Sequence, residues 1–159
     1  MVEEIMDEVF EYLPIEEADR LFKKNYRMSG NLDYTHMGFT RVYKSLLSIV
    51  PKHYTIIDLG CSYAAQCYFF KDYEAYIGVD VNDEERFATD NTTHYQMSMQ
   101  KFIKEILPDL HLNLKECFAI CSYVPDAEGT ELARHTFPNI LVYYPSGSWE
   151  ARAKRRENK

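Results

Sequence analysis

Two carboxylates, Asp58 and Asp80, lie in or directly after short apolar runs of the 159-residue chain. The first run, residues 56–59, leads into a turn of small residues that begins at Gly60, and the second, residues 76–79, leads directly to Asp80, 22 positions after Asp58. A turn of small residues lets the backbone approach a ligand. An acid at the tip of the neighbouring strand can accept both hydroxyls of a ribose. The two segments predict a nucleotide-sized cofactor site.

A structural interpretation of the same residues stays open. Parallel α/β domains contain many strand-turn-helix units, and glycines at their turns often serve only the close packing of helix on strand. From Gly60 onward the chain reads Gly-Cys-Ser-Tyr-Ala-Ala, so the second and third glycines of a dinucleotide motif are absent. A pyrophosphate on this turn is therefore disfavoured. Asp80 favours the functional interpretation over the packing one.

These segments resemble the class I, Rossmann-like S-adenosylmethionine-dependent methyltransferases, of which the chain would be a short and divergent member. The first loop of that family follows the pattern acid-x-Gly-x-Gly-x-Gly. Asp58 and Gly60 match this pattern, whereas Ser62 and Ala64 occupy the later glycine positions. Both replacements are small, but a left-handed backbone angle is less favourable there than at glycine. The resemblance covers about residues 53–145.

The resemblance implies S-adenosylmethionine as the cofactor and assigns its site by position. The implied cofactor-binding residues are Asp58, Gly60, Cys61, Ser62, Asp80, Val81, Met97, Ser98, Ser122 and Tyr123. By the resemblance, Met97 and Ser98 take the adenine position at the end of the third strand, and Ser122 and Tyr123 lie at the end of the fourth strand, where the family binds the methionine part and the substrate. Plainer roles are open: Ser98 as a helix N-cap, and Tyr123 as a core aromatic.

No catalytic residue is identified. A methyl transfer mainly requires alignment of donor and acceptor, with removal of a proton when the nucleophile needs it. Asp126, His36 and Tyr123 are candidate bases, but none lies in a specific signature, and Asp126 also fits an N-cap. His36 belongs to a polar loop that either closes over the cofactor or is simply solvated. The Asn/Asp-Pro-Pro-aromatic loop of many amino-directed nucleic-acid methyltransferases is absent from the sequence.

The elements that must position these residues are read from apolar runs and their spacing. Strands are predicted at Thr55–Gly60, Ala75–Asp80, Thr93–Met97, Cys117–Tyr123 and Ile140–Tyr144, with helices near 63–71, 98–107 and 127–136. Alternating strands and helices predict a three-layer αβα sandwich around a parallel sheet of order 3-2-1-4-5. Such a sheet binds ligands at the carboxyl ends of its strands, between the first and fourth. The sheet is predicted to stop after strand five.

Length and composition predict one domain. The chain is 46% hydrophobic, with 13 tyrosines and 9 phenylalanines, and can bury a core without covalent staples. We divide it into an N-terminal helical cap at 1–52, a Rossmann-like core at 53–145 and a basic tail at 146–159. We hypothesise a homodimer through Trp149 and the uncovered edge of the fifth strand.

Charge and cysteine spacing limit the partners. The net charge of −7 disfavours a general nucleic-acid surface, except through the basic tail, which either is solvated or docks on the protein's own acidic N-terminal end, on a partner or on a nucleic acid. No cysteine pair has the C-x-x-C spacing of a metal site, so no metal is predicted and buried thiols are the default. No apolar window reaches membrane-span length and the acidic start is unlike a secretory signal, so we expect a cytoplasmic protein without membrane partners.

Two functions follow from these observations. The first is an S-adenosylmethionine-dependent methyltransferase of unidentified acceptor, favoured by Asp58, Gly60 and Asp80. The second is a catalytically degenerate member of the same fold that senses the cofactor or binds other proteins. The missing glycines and the short sheet favour the second.

Overall fold

A six-stranded sheet forms the centre of the computed structural model, which describes residues 43, 45–83, 85–122, 126–143 and 149–153. The strands are β1 (Thr55–Leu59), β2 (Ala75–Asp80), β3 (Thr92–Gln96), β4 (Cys117–Ser122), β5 (Ile140–Tyr143) and β6 (Trp149–Arg152). Their order is β3-β2-β1-β4-β5-β6. β1 to β5 pair in parallel and β6 pairs antiparallel with β5. The predicted Rossmann-like order 3-2-1-4-5 is confirmed, and the winding reverses between β1 and β4.

Apolar side chains cover both faces of this sheet. Ile56 of β1 belongs to a core cluster on one face, and Ile57 to a cluster on the other. Short 3₁₀ helices at Leu46–Ser48 and Ala65–Phe70 contribute to the first cluster. Helix α1, residues 99–110, and helix α2 (Ala127–Thr136) contribute to the second. Because both faces are covered, β1 is buried along its whole length, and its buried residues include the polar Thr55 and Asp58 as well as apolar ones.

Helix α1 changes its winding along its length. It begins as an α-helix at Met99–Lys101, continues as a π-helix at Phe102–Ile106 and ends as an α-helix at Leu107–Leu110. Pro108 has no N–H to donate, so the ordinary bond to the carbonyl four residues earlier cannot form there. The N–H of Leu107 instead reaches the carbonyl of Phe102, five residues back. The helix ends at Leu110, three residues beyond the predicted end at residue 107.

The segment after β1 differs from the prediction in its winding. The sequence predicts a helix near 63–71, but the structure has a six-residue 3₁₀ helix at Ala65–Phe70. It follows a left-handed residue, Ala64, and leads directly into the turn before β2. So short a run favours tighter winding. Its side chains still reach the core, where Phe70 is fully buried.

A sixth strand follows β5, so the prediction that the sheet stops at β5 is wrong. Tyr143 pairs with Trp149 and Ile140 with Arg152. The Arg152 guanidinium donates to the carbonyl oxygens of Arg134 at 2.6 Å and Phe137 at 2.7 Å, at the C-terminal end of α2. A cation there complements the exposed carbonyls and the helix dipole. Part of the predicted basic tail is thus a strand, and the homodimer prediction, which no observation tests, loses the uncovered β5 edge on which it rests.

Several predicted features lie outside the described residues. These are His36, Tyr123, most of the helical cap at 1–52 and the chain from residue 154 onward. Among the residues that the structure does describe, no helix combines the length and apolar character needed to cross a membrane.

Candidate functional site

The turn after β1 keeps a glycine-like backbone at positions that are not all glycine. Gly60 has φ 86°, Ser62 φ 55° and Ala64 φ 61°. These are the three positions where the resembled family pattern has glycine. A left-handed angle is disfavoured by roughly 1–2 kcal/mol at a residue with a Cβ. The loop therefore holds a conformation that its own side chains oppose, and other contacts must stabilise it.

Ser62→Gly is expected to raise the free energy of unfolding by up to about 1 kcal/mol. Glycine removes the left-handed penalty of roughly 1–2 kcal/mol, and part of that gain is offset by its greater freedom in the unfolded chain. Chemical denaturation measures the difference. Ser62→Ala is the matched control, since it removes the hydroxyl but keeps the Cβ. Equal stability of the two variants would contradict the strain.

Most backbone N–H groups of the turn already have protein acceptors. Gly60 and Cys61 both donate to the carbonyl of Val79, at 2.7 and 3.0 Å, and Ala64 donates to the carbonyl of Cys61 at 2.9 Å. The N–H of Ser62 donates to Oδ2 of Asp80 at 2.8 Å. These four donors are therefore taken within the protein, and the element that follows the turn is a short 3₁₀ helix.

Asp80 lies at the end of β2, half-buried, with its carboxylate against this turn. Its Oδ1 accepts from the backbone N–H of Asn82 at 3.0 Å and from the side-chain amide of Asn82 at 3.1 Å. Together with Ser62, these donors fill about three of the four acceptor positions of a carboxylate. The predicted closeness of the turn and the β2 acid is confirmed, and no donor among the described residues occupies the fourth acceptor position.

Val81 and Met97 flank Asp80. The Val81 side chain, directly after the acid, is 66% exposed, whereas most large apolar side chains in the described part of the chain are buried. The N–H of Met97 donates to the backbone carbonyl of Asp80 at 2.9 Å, so the ends of β2 and β3 are joined. Ser98 caps α1, its side chain accepting from the N–H of Lys101 at 3.1 Å. For Ser98 the N-cap role is confirmed.

Arg86 connects the carboxyl ends of β2 and β3. Its guanidinium donates to the carbonyls of Asp80 at 2.9 Å, Asn82 at 3.1 Å and Tyr95 at 3.3 Å. It thereby ties the loop after β2 to β3. Sequence reasoning missed Arg86, because an arginine in a polar loop has no spacing that distinguishes it from a solvated one.

Asp58 is fully buried beneath the turn. Oδ1 accepts from the Tyr43 hydroxyl at 2.9 Å, and Oδ2 accepts from the Gln66 amide at 2.7 Å and from the Tyr76 hydroxyl. Burial raises the pKa of Asp58 to about 6, although all three hydrogen bonds favour the charged form and lower it, and nearby Asp80 raises it further. With no exposed surface, the side chain is inaccessible to a ligand in this arrangement.

The three partners of Asp58 were not predicted from the sequence. A signal for them exists, since an acid inside an apolar strand must find donors when it is buried. Register points to Tyr76, because β1 and β2 pair in parallel with Ile56 opposite Tyr76, two positions from Asp58 on the same face. Tyr43 and Gln66 lie 15 and 8 residues away in sequence, and no local pattern selects them.

Cys61 does not provide a nucleophile. The thiol is buried, and burial, followed by the charge of Asp58, raises its pKa well above the ordinary value. Cys121 is also buried, with a pKa raised to about 12 mainly by burial. Both remain neutral thiols, as do buried structural cysteines in general. All four cysteines are buried and none forms a disulfide, in agreement with the default expectation of buried thiols.

The carboxyl end of β4 lies beside β1, with Cys121 opposite Leu59. Ser122 ends this strand, while Tyr123 lies outside the described residues. Asp126 begins α2, and its Oδ1 accepts from the N–H of Gly129 at 2.8 Å. Its role as N-cap is confirmed.

Comparisons with known proteins give distant structural similarity only. No family model matches the chain, and no curated protein is significantly similar in sequence. A Streptococcus mutans protein provisionally assigned as a methyltransferase, in complex with SAH, is 14% identical with a TM-score of 0.45, over 65% of this chain and 72% of that one. A cyclopropane-fatty-acyl-phospholipid synthase-like protein from Lactobacillus casei is 12% identical with a TM-score of 0.44, over 68% and 50%.

A third solved structure covers more of the chain. The plantazolicin methyltransferase in complex with SAH is 12% identical with a TM-score of 0.44, over 91% of this chain and 61% of that one. This chain thus spans half to three quarters of the length of these proteins. Identities of 12–14% with TM-scores below 0.5 do not assign an activity to it.

Proposed function

We propose that this chain binds S-adenosylmethionine at the carboxyl ends of β1 and β2 and transfers its methyl group to an acceptor not yet identified. One observation carries the proposal: the N–H of Ser62 donates to Oδ2 of Asp80 at 2.8 Å, so the small-residue turn and the β2 acid form one site. The site lies at the edge of the sheet where doubly wound folds bind nucleotides.

The residues present suit an adenosyl group better than a dinucleotide. Asp80 has an acceptor position that no described residue occupies and that suits a ribose hydroxyl, and the exposed Val81 offers an apolar surface for a base. A pyrophosphate needs backbone N–H donors, and those of Gly60, Cys61, Ser62 and Ala64 are already bonded. A ligand with a sulfonium and an ammonium group requires fewer of these donors.

When bound, the cofactor supplies an activated methyl group on its sulfonium. The chain's own contribution is to bind and orient it: Asp80 holds the ribose, and the turn after β1 forms the wall beside it. No described residue is assigned as a general base, because Asp126 serves as the N-cap of α2. The acceptor therefore stays open, and the cytoplasmic location and the role of the basic tail stay predictions.

Calorimetric titration with S-adenosylmethionine and S-adenosylhomocysteine tests the proposal. A ligand that binds only the folded state also raises the melting temperature, because the free energy of unfolding increases with the logarithm of one plus the ligand concentration divided by its Kd. We expect saturable binding of both compounds, and weaker or absent binding of NAD⁺ because the turn lacks donors for a pyrophosphate. An absence of heat and of thermal shift at millimolar ligand would refute cofactor binding.

A non-catalytic, cofactor-sensing protein is the second candidate. The left-handed, non-glycine residues Ser62 and Ala64 favour it, because a strained turn with its donors occupied is not optimised for turnover. Incubation of the pure protein with labelled cofactor and fractions of candidate acceptors separates the two functions. Binding without S-adenosylhomocysteine formation in any fraction would favour the sensor.

A further inference from the structure

One peptide unit in the turn is held at both ends by side chains from elsewhere. The carbonyl of Cys61 accepts from Nε2 of Gln66 at 3.0 Å, and the N–H of Ser62, in the same peptide unit, donates to Oδ2 of Asp80 at 2.8 Å. The peptide thus lies between Gln66 of the 3₁₀ helix and the acid of β2. Gln66 is the only one of these groups that has no place in the resembled family pattern.

The orientation of the Gln66 amide follows from its neighbours. Its Nε2 also donates to Oδ2 of Asp58 at 2.7 Å, so its two hydrogens have two acceptors, a carboxylate and a carbonyl. Turning the amide over would place its oxygen against both. Electrostatics therefore selects the orientation that joins Asp58 to the turn.

A continuous chain of hydrogen bonds results. It runs from the buried Asp58 through Gln66 to the Cys61–Ser62 peptide, and from that peptide to Asp80. A hydrogen bond accepted by a peptide carbonyl polarises the peptide and strengthens the bond donated by its N–H. Because Ser62 has a left-handed φ of 55°, its intrinsic preference opposes this peptide orientation. The side-chain bonds must supply the stabilisation.

We propose that Gln66 is a positioning residue for the ligand site, which fixes the Cys61–Ser62 peptide so that its N–H holds the Asp80 carboxylate in the orientation that receives a ribose. The proposal rests on the proposed function for the identity of the ligand. Its structural part, the control of the Ser62 N–H by Gln66, does not. Gln66 itself need not touch the ligand.

Gln66→Met tests this role, because methionine has similar length and volume but no donor. We expect the affinity for S-adenosylhomocysteine to fall about tenfold, the effect of losing a hydrogen bond that supports a charged acceptor. Gln100→Met is the matched control: Gln100 also donates to a carboxylate, that of Asp126 at 3.3 Å, but between α1 and α2. The control should bind like the wild type.

A double-mutant cycle separates positioning from general destabilisation. If Gln66 acts through Asp80, then Gln66→Met should weaken binding less than about twofold further in an Asp80→Ala background, because the group that it positions is gone. A full tenfold further loss in that background would show independent effects and overturn the proposal. If Gln66→Met does not fold, Gln66→Asn, whose shorter amide cannot reach both acceptors, takes its place.

Amide hydrogen exchange tests the structural part without a ligand. The Ser62 N–H should exchange slowly in the wild type and in Gln100→Met, and at least tenfold faster in Gln66→Met. An unchanged Ser62 exchange rate would overturn the role of Gln66 even if the affinity falls. If the wild type binds no S-adenosylhomocysteine, the proposed function fails, and the exchange rates still decide whether Gln66 positions the turn.

Discussion

Asp80→Ala is expected to weaken the binding of S-adenosylmethionine and S-adenosylhomocysteine by about 10- to 100-fold. The substitution removes hydrogen bonds to a charged acceptor, which contribute roughly 1.5–3 kcal/mol. It also releases the N–H of Ser62, so the turn loses the contact that holds it against β2. Both effects act on the same site, and isothermal titration measures their sum as a ratio of Kd values.

Asp72→Ala is the matched control for this experiment. Asp72 is exposed, lies before β2 and not after it, and loses the same charge. Its variant should bind both ligands as the wild type does, so that long-range electrostatics is separated from direct contact. Asp80→Asn retains an acceptor but loses the charge, and an intermediate affinity is expected. Wild-type affinity in Asp80→Ala would remove Asp80 from the site.

The second large effect concerns the stability of the fold as a function of pH. In the folded state the pKa of Asp58 is raised from 3.8 to about 6, mainly by burial. The unfolded chain therefore ionises first, and the stability that this group contributes is fully present below pH 3.8 and is lost as the pH rises through about 6. A shift of about two pKa units corresponds to about 3 kcal/mol.

Asp58→Asn isolates this effect. The free energy of unfolding of the wild type minus that of the variant should fall by about 3 kcal/mol as the pH rises from about 3.5 to 7. His94, whose pKa is lowered by burial, acts in the opposite direction, but it is present in both proteins and cancels in the difference. Denaturant titrations at several pH values give the curve.

An exposed carboxylate supplies the reference for that curve. Asp72→Asn removes the charge of an exposed acid and is measured in the same way. If the difference between the wild type and Asp58→Asn does not change with pH, then the pKa of Asp58 is the same in the folded and the unfolded state, and the buried hydrogen-bonded carboxylate described here is wrong. A difference that grows with pH would mean that the three donors stabilise the charged form more than burial opposes it.

The local pattern of apolar residues was sufficient to predict β1 to β5 and their order in the sheet. β1 and β2 are buried on both faces, so their sequences are short apolar runs, and each strand begins within one residue of its predicted start. Alternation of strands and helices then leaves few topologies, because crossovers between parallel strands are right-handed. Strand β6 was not predicted, because its four residues include charged ones and do not form an apolar run. Its backbone pairs with that of β5, and the sequence gives no sign of this pairing.

The N-caps could also be predicted from the sequence, because a capping side chain bonds to a backbone N–H within three residues of itself. Ser98 and Asp126 accept from the N–H groups of Lys101 and Gly129. The type of each helix (α, 3₁₀ or π) could not be predicted in the same way. The π-helix in α1 precedes Pro108, which lacks an N–H, and the 3₁₀ helix after β1 follows the left-handed residue Ala64. The apolar spacing in the sequence is the same for all three kinds of helix, so it does not distinguish them.

The sequence alone determined that a small-residue turn and an acid would end neighbouring parallel strands, because apolar runs and spacing encode strand ends. Only the tertiary structure decided that the turn is left-handed at Ser62 and Ala64, that its N–H groups are occupied, and that Asp58 is buried beneath it. Those features depend on Tyr43, Gln66 and Tyr76, which reach Asp58 through space. The spacing of residues along the chain does not predict such contacts. Hydrogen bonds between residues distant in sequence form only when the packing of helices and strands brings those residues together.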